Sequence, residues 1–290
     1  MAATSSTARR PPPTTLVING DDFGYSDAIN AAIVRCHDAG VLRSASVLVN
    51  RPATRAALAL ARSRPSLGIG FHVNLTEGAP VLPPREVPSL VDRRGHFRPL
   101  LAQLAGLALG RTNLDEVARE LSAQFAILCD AGIRPTHVDG HLHAHAFPGV
   151  LDVVVRLLAS SGVRALRSPL LGAWLTGERA SARLRGGAVL IGSAALRVCL
   201  DGRREAALDA ARIVRAGYLL DAARFLMADD PTLALAEAAA VPGSLVEVMT
   251  HPAWNRDAAR GAAEVALMTD PRLSGLLAAR GVRVGHYGEV

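Results

Sequence analysis

The chain has 290 residues, half of them hydrophobic, which is enough to bury one large core in a single enzyme-sized domain. Its formal net charge of +6 comes from 32 basic and 26 acidic residues, and every basic residue is an arginine. Because arginine titrates at very high pH, this excess is weak evidence for a nucleic-acid partner, and 4% aromatic residues leave few side chains to stack on bases. We therefore expect no nucleic acid among the partners.

The cysteines and two unusual segments indicate the environment of the protein. Cys36, Cys129 and Cys199 are odd in number, far apart and free of CxxC spacing, so neither a disulfide framework nor a cysteine zinc site is expected. A reducing, cytoplasmic compartment fits this pattern. Residues 1–13 are polar and proline-rich, which predicts a disordered tail without an export signal. The apolar stretch 186–196 is too short to cross roughly 30 Å of hydrocarbon, so we predict no integral membrane segment.

Short β-type runs alternate with helical periods along the rest of the chain. Residues 15–19 form a buried-strand run, and apolar residues at helical spacing from Ile29 then follow a cap at Ser26, with Gly40 ending the helix. Further strands are predicted at 44–50, 67–75, 136–139, 163–167, 244–250 and 282–287. Further helices are predicted at 53–64, from Asn113 to about Cys129 with Glu116 completing a capping box, and at 149–160.

This alternation predicts the fold class. Strands separated by helices of this length form a parallel sheet with right-handed crossovers. We therefore expect an α/β fold, closed or nearly closed as a β/α barrel, in one domain over residues 14–290. Two segments interrupt the pattern, a proline-rich loop near 79–99 and an arginine-rich helical region at 173–240, and we assign no chemistry to the arginines.

Polar residues follow four of the predicted strands at their carboxyl ends. Asp21 and Asp22 come after the first strand, His72 lies late in the third, Asp139 ends the next, and His251 follows SLVEVMT. In β/α barrels this rim carries the active site, because adjacent strand ends converge there while their loops vary independently. Four separate segments that point to one rim indicate a site more strongly than any one of these residues alone.

The segment THVDGHLHAH holds four of the nine histidines of the chain. Protonated imidazoles at this spacing would repel one another, a cost that an anion offsets or that metal-bound neutral imidazoles avoid. Simpler interpretations stay open for single residues. His72 can be a satisfied core histidine, Asp21 and Asp22 a turn and helix cap, and His143 and His145 exposed loop residues.

One carboxylate and two imidazoles can hold a divalent cation and leave positions open for water and substrate. Such a cation lowers the pKa of the water and polarises a carbonyl oxygen. A second carboxylate beside it can accept the proton of the water, while a histidine across the site protonates the leaving group. Asp21 and His251 are the candidates for these two roles.

The chain resembles the YdjC-like carbohydrate deacetylases, which include chitooligosaccharide deacetylases, in four motifs and in its ending, GVRVGHYGEV. The motifs are NGDDFG (19–24), GFHVNLTEG (70–78), THVDGHLHAH (136–145) and EVMTHPA (247–253), in that order. The similarity covers nearly the whole chain from about residue 15.

The resemblance implies a single deacetylase-type β/α barrel, TIM-like and either incomplete or seven-stranded. The implied activity is hydrolysis of the N-acetyl group of an amino sugar, which is a linear amide C–N bond. Asp22, His72 and His141 are implied as ligands of one divalent metal ion, Asp21 as general base, and His251 as catalytic acid or transition-state stabiliser. The residues implied to bind substrate or support the site are Asp139, His145, Arg167 and Asn74.

The departures from the family pattern concern the substrate. Gly20 stands where the family commonly has alanine, a small change. Residues 170–240 should form part of a sugar-facing wall, but they match poorly and are rich in Arg, Ala and Leu. An apolar wall would suit a sugar attached to a lipid, as in a related branch associated with hopanoid biosynthesis, so oligosaccharide and glycolipid both stay open.

Other classes of protein stay open as well. The nearest rival is another metal-dependent hydrolase of amidohydrolase or phosphoesterase type, although amidohydrolases commonly carry HxH on their first strand. A non-catalytic, histidine-rich metal-binding protein would need neither Asp21 nor His251. We expect the metal to be Mg²⁺ or Zn²⁺, with Mn²⁺, Co²⁺ and Ni²⁺ also compatible with these ligands. The oligomeric state is open, with a homodimer as one option.

Overall fold

The computed structural model describes residues 13–167, 202–254 and 256–290, in which the strands form a parallel sheet. Residues 1–12 of the predicted tail and residues 173–201 of the arginine-rich region lie outside the described residues. The strands are β1 (Thr14–Phe23), β2 (Ser44–Val47), β3 (Gly68–Val73), β4 (Val138–Gly140), β5 (Tyr218–Asp221), β6 (Leu245–Thr250) and β7 (Val282–Gly285).

Helices cover the outside of this sheet. Within the described ranges they are α1 (Asp27–Asp38), α2 (Thr54–Arg62), α3 (Leu100–Ala108), α4 (Leu114–Asp130), α5 (Val150–Ser161), α6 (Gly202–Ala210), α7 (Pro231–Ala238), α8 (Ala258–Met268) and α9 (Arg272–Ala279). The 3₁₀ turns are Pro84–Glu86, His141–Ala146, Ala222–Met227 and Tyr287–Glu289. None of the helices described is both long and apolar enough to cross a membrane.

The order of the strands confirms the predicted fold class. It is β4-β3-β2-β1-β6-β5, with parallel pairing throughout, and β7 pairs with the start of β1. The two edges of the sheet are connected by single bridges, between Val138 of β4 and Leu166 and between Ala165 and Val214 shortly before β5. The sheet therefore curls into a nearly closed β/α barrel with all strand carboxyl ends at one rim.

Strand β1 shows how alternating side chains separate the two faces of the sheet. Ile18 packs into the large apolar cluster between sheet and helices, whereas Val17 packs against Tyr287 on the inner face. Asn19 also lies on the inner face, where its Nδ2 donates to Asp21 Oδ1 at 2.7 Å. Apolar burial therefore anchors the outer face of β1, and its inner face turns from apolar to polar toward the rim.

The C-terminal turn closes the opposite, amino end of the barrel. The Tyr287 ring is buried and lies 4.7 Å from the His137 ring, centroid to centroid. Two glycines of β3 leave room for this arrangement. A methyl group at Gly70 would overlap the His137 ring, and one at Gly68 would overlap His286. The inner face of β3 thus accommodates imidazoles from a neighbouring strand and from the C-terminus.

Several elements differ from their prediction. The cap at Ser26 is confirmed, since its Oγ accepts from the Ile29 N–H at 3.3 Å. The segment 163–167 forms single bridges rather than a regular strand. Strand β5 lies in the region predicted to be helical, and α3 directly follows the proline-rich loop without having been predicted.

The capping box predicted at α4 is wrong. Asn113 does cap the helix, accepting from the Asp115 N–H at 2.8 Å, but Glu116 does not reach back to it. Glu116 Oε2 instead accepts from the N–H and the hydroxyl of Ser89, each at 2.8 Å. The carboxylate satisfies donors of the proline-rich loop, so it holds that loop against α4 rather than closing the helix end.

Candidate metal centre and active site

Asp22, His72 and His141 lie on β1, on β3 and directly after β4, and they meet at one point on the rim. Asp22 Oδ1 is 2.8 Å from His141 Nδ1 and 3.4 Å from His72 Nε2. Donor atoms of all three lie within 4.8 Å of one another, and all three residues are buried. The structure therefore brings together the three residues that the resemblance implies as metal ligands.

The chemistry of these donors fits a divalent cation. Each imidazole has a carboxylate at both nitrogens, because His72 Nδ1 is 2.8 Å from Asp139 Oδ1 and His141 Nε2 is 3.1 Å from Glu77 Oε2. A neutral imidazole that donates its N–H to the outer carboxylate points a lone pair toward Asp22. Two nitrogen lone pairs and a carboxylate oxygen then face and repel one another. A cation bound among them would accept all three as ligands.

The proton affinities of these groups lead to the same conclusion. Burial lowers the pKa of His72, but the carboxylates of Asp139 and Asp22 outweigh it and raise this pKa to about 10. Burial raises the pKa of Asp22, but His141 and His72 outweigh it and hold this pKa well below its usual range. The site therefore stabilises positive charge among ionised carboxylates, as a dication requires. Since a metal must displace protons from the imidazoles, metal affinity should rise with pH.

The backbone at Asp22 separates the two adjacent aspartates. Asp22 has φ +66°, a left-handed conformation that is uncommon outside glycine and that is often found at functional sites. Its carbonyl accepts from the Tyr25 N–H at 3.0 Å, which closes the turn. Asp22 faces His72 and His141, whereas Asp21 faces the barrel interior. The two carboxylates therefore have different partners.

Asp21 is held by a buried arginine. Arg167 Nη1 and Nη2 donate to its two carboxylate oxygens at 2.6 and 2.7 Å. The same guanidinium is 3.0 Å from Asp139 Oδ2 and donates through Nε to Glu247 Oε1 at 2.8 Å. Burial raises the pKa of Asp21, but Arg167 outweighs it and lowers this pKa. Arg167 is itself fully buried, so its guanidinium contacts Asp21 from inside the barrel and does not face the rim.

His251 follows β6 and is more accessible than the candidate ligands. Its Nε2 lies 3.9 Å from Asp21 Oδ2, and 21% of its side chain is exposed. Glu264 of α8 fixes the backbone here, accepting from the His251 N–H at 2.6 Å and from the Thr250 hydroxyl at 2.7 Å. His251 therefore lies close to Asp21 with its ring open to a ligand entering from the rim.

The other predicted site residues support their neighbours. His145 is buried and donates through Nε2 to the Arg167 carbonyl at 2.9 Å, so the interpretation of it as an exposed loop residue is wrong. His143 is half-buried. Asn74 is also buried; its Oδ1 accepts from the N–H groups of Thr76 and Glu77, each at 3.1 Å. Asn74 thus shapes the loop after β3.

Glu77 stands at the mouth of the site and was missed in the sequence. Its carboxylate accepts from Tyr25 Oη at 2.7 Å and from Arg256 Nη2 at 2.6 Å, and Arg51 Nη2 lies 3.5 Å away. Burial raises the pKa of Glu77, but hydrogen bonds from His141 and Tyr25 outweigh it and lower this pKa to about 2. The carboxylate is therefore ionised and connected to loops that follow several different strands.

Glu247 is also absent from the site residues predicted from the sequence, although its position along β6 could have indicated that it faces inward. It lies two positions before Met249 and four before His251, which directly follows β6, so alternation along β6 directs Glu247 inward and leads to His251. Glu247 Oε2 accepts from Tyr287 Oη at 2.5 Å while Oε1 faces Arg167. A carboxylate at an inward strand position predicts a buried cationic partner.

Two further groups of side chains have metal-ligand spacing among the residues described. They are Asp21, His72 and Asp139, and Asp221, His251 and Glu264. Each already contains a cation: Arg167 neutralises the first, and Arg260 is 3.3 Å from Asp221 and 2.7 Å from Glu264 in the second. In the part of the chain that the structure describes, no arginine pairs with Asp22 in this way, so this group is the best candidate for a metal.

Comparisons with known proteins show which proteins this chain is similar to. The carbohydrate deacetylase of Brevibacillus brevis strain 47 is 39% identical over 164 residues, which are 57% of this chain and 61% of that protein. The chitooligosaccharide deacetylase of Enterobacter sp. strain 638 is 31% identical over 94% of this chain and 97% of its own. A solved structure from Enterococcus faecalis V583, provisionally named a cellobiose-phosphate cleavage protein, has a TM-score of 0.72 at 25% identity and covers 96% of this chain and 98% of its own.

Fold and site together define a parallel β/α barrel with a candidate divalent-metal centre at the carboxyl ends of its strands. A family model described as YdjC-like protein matches residues 15–279. The chain belongs to this YdjC-like family. The alignments to the carbohydrate deacetylases of B. brevis and Homo sapiens span 61% and 50% of those proteins.

Proposed function

We propose that this protein is a metal-dependent hydrolase that removes the N-acetyl group of an amino sugar, in an oligosaccharide or a glycolipid, and releases acetate. The observation that carries the proposal is the convergence of the donors of Asp22, His72 and His141 beside Asp21 and His251. The names of the relatives in Brevibacillus and Enterobacter support carbohydrate deacetylation as the reaction class.

The metal would be held by Asp22 Oδ1, His72 Nε2 and His141 Nδ1. A divalent cation there supplies Lewis acidity to the acetyl carbonyl and to the attacking water. Two nitrogen donors favour Zn²⁺, Co²⁺ or Ni²⁺ over Mg²⁺ and Mn²⁺, which prefer oxygen ligands.

Asp21 acts as the base. Its carboxylate is ionised, and Arg167 grips both oxygens, so it can rotate little and presents a fixed oxygen toward the site. The proton of the attacking water passes to Asp21 as the new C–O bond forms at the acetyl carbon. Arg167 also weakens Asp21 as a base, a cost that fixed geometry offsets.

His251 acts on the leaving side. An amide nitrogen leaves only when protonated, and the 3.9 Å between His251 Nε2 and Asp21 Oδ2 allows the two groups to flank one scissile bond. Transfer of a proton from His251 to the nitrogen accompanies cleavage of the C–N bond. The products are acetate and a free amino sugar. Asp21 then releases its proton to solvent, and solvent restores the proton of the exposed His251 ring.

The test is acetate release by metal-stripped protein reloaded separately with Zn²⁺, Co²⁺, Ni²⁺, Mn²⁺ and Mg²⁺. The substrates are N,N′-diacetylchitobiose, N-acetylglucosamine and an N-acetylglucosaminyl lipid, with an aryl phosphate as the probe for the rival phosphoesterase. We expect acetate and free amine in equal amounts with at least one metal. Hydrolysis of the phosphate alone would identify the rival, and metal binding without any turnover would identify a non-catalytic metal-binding protein.

A further inference from the structure

The carboxylate of Glu77 faces the outer nitrogen of a candidate metal ligand. Glu77 lies in the loop after β3, and its Oε2 is 3.1 Å from His141 Nε2, while 23% of its side chain is exposed. His141 Nδ1, on the other side of the same ring, is 2.8 Å from Asp22 Oδ1. The ring therefore divides its nitrogens between the metal site and Glu77.

His72 shows the same arrangement in the buried half of the site. Its Nε2 faces Asp22 at 3.4 Å, and its Nδ1 is 2.8 Å from Asp139. Both imidazoles thus have an outer carboxylate opposite the metal donors. A carboxylate that accepts the outer N–H of a ligating imidazole fixes its tautomer and its orientation and strengthens it as a ligand.

We propose that Glu77 is a positioning residue for the metal centre, accepting the Nε2–H of His141 so that the Nδ1 lone pair points at the cation. The inference rests on the proposed function in one respect, since it places a metal at Asp22, His72 and His141. In this arrangement Glu77 does for His141 what Asp139 does for His72, although the sequence motifs assign it no role.

The neighbours of Glu77 hold its carboxylate in place for this purpose. Tyr25 Oη donates to Oε1 at 2.7 Å, leaving Oε2 to His141 and to Arg256 Nη2 at 2.6 Å. The Glu77 N–H donates to Asn74 Oδ1 at 3.1 Å, which fixes the backbone of the loop. Because both of its oxygens accept hydrogen bonds, the Glu77 carboxylate has few other rotamers to adopt. These bonds therefore hold it in contact with His141.

The experiment compares metal affinity in Glu77→Gln and in the unaltered protein. Metal-stripped protein is titrated with Co²⁺ in competition with a chelator, and the visible absorption of bound Co²⁺ reports the ligand geometry. We expect Glu77→Gln to bind Co²⁺ about 10- to 100-fold more weakly, the range typical for outer carboxylates of ligating histidines, with an altered spectrum. Glu77→Asp, which keeps the charge, should recover part of the affinity.

The matched control is Glu120→Gln. Glu120 holds the same loop by accepting from the N–H groups of Val81 and Leu82 at 2.8 and 3.0 Å, and no contact to His141 involves it. Unfolding midpoints are measured for every variant. A loss of Co²⁺ affinity in Glu120→Gln equal to that in Glu77→Gln would overturn the proposal, because loop packing would then explain both.

A double-mutant cycle completes the test. In a His141→Ala background, Glu77→Gln should have no further effect on Co²⁺ affinity, since the contact it removes is already gone. An undiminished effect there, or unchanged affinity in Glu77→Gln alone, would contradict the positioning role. None of these readouts uses turnover, so failure of deacetylation and failure of this inference are distinguished.

Discussion

The two ends of the barrel interior contain different kinds of side chain, charged and polar at the carboxyl end and mainly apolar at the amino end. At the carboxyl end, Asp22 and His72 are buried beside further carboxylates and a guanidinium, and their arrangement leaves like charges and lone pairs close together. At the amino end, Val17, Ala165 and Tyr287 form a small apolar cluster. The rim is arranged for ligand chemistry at a cost in stability, whereas the amino end stabilises the fold and keeps water away from the charges above it.

A middle layer connects these two ends. Tyr287 Oη donates upward to Glu247, Glu247 accepts from Arg167, and Arg167 grips Asp21. These charge-assisted contacts hold Arg167 in place between the amino end and the candidate base. Variants at the rim should affect function more than stability, and variants at the amino end should do the reverse.

The largest effect is expected at the metal ligands. His72→Ala or His141→Ala removes one of the three donors, so metal content and acetate release should fall together. Elemental analysis and turnover on the same samples check this. If both variants kept full metal content and full turnover, the assignment of ligands would be wrong.

Asp21→Asn should follow in size. The amide keeps the shape of the carboxylate but cannot accept the proton, so kcat should fall about 10²-fold or more. The metal should stay bound, which elemental analysis checks, and the unfolding midpoint shows whether the lost ion pair with Arg167 also matters. Near-normal kcat would transfer the role of base, with Asp139 the first residue to examine.

His251→Ala separates the two halves of the reaction. Because an aryl acetate ester has a leaving group that needs no proton, the variant should lose far more activity on an N-acetyl sugar than on the ester. Metal content should be unchanged. Equal losses on both substrates would indicate that His251 stabilises the oxyanion or the fold, and loss of metal would make it a ligand.

The smallest effect on turnover is expected at the amino end. Tyr287→Phe leaves the buried Glu247 Oε2 without its donor, which should lower the free energy of unfolding by about 1–3 kcal/mol while changing kcat little. Tyr25→Phe removes a comparable hydroxyl from a carboxylate at the half-exposed rim and should cost less. Urea unfolding measures the loss of unfolding free energy in both variants. Equal losses would contradict the proposed difference between the amino end and the rim.

The fold was predictable because its signals are local. Ser26 caps α1 as its sequence pattern requires, and strands such as β1 carry buried apolar runs that no helix of that length would show. Strand β5 was missed because four residues, only one of them fully buried, give no clear alternation. The bridges at 165–166 were predicted as a longer strand because VRALR alternates, although only two residues there form single bridges.

The site was predictable only in part, for a different reason. Asp21, Asp22 and His72 stand out because they are polar residues at the ends of apolar strands. Glu77 and Glu247 derive their importance from partners far away in the sequence, His141 and Arg167, and such pairing is fixed by the closed barrel rather than by local pattern. The roles assigned to all these residues remain predictions for the experiments above.

The packing at Gly70 restricts which substitutions this part of the barrel can accept. Gly70 leaves space for the ring of His137, which directly precedes β4, and a methyl group at Gly70 would overlap that ring. Two residues further along, Asp139 faces His72. No change of metal, pH or substrate can restore the space that Gly70 leaves. A chain with Gly70→Ala would therefore need the His137 ring to move or a smaller residue to replace it.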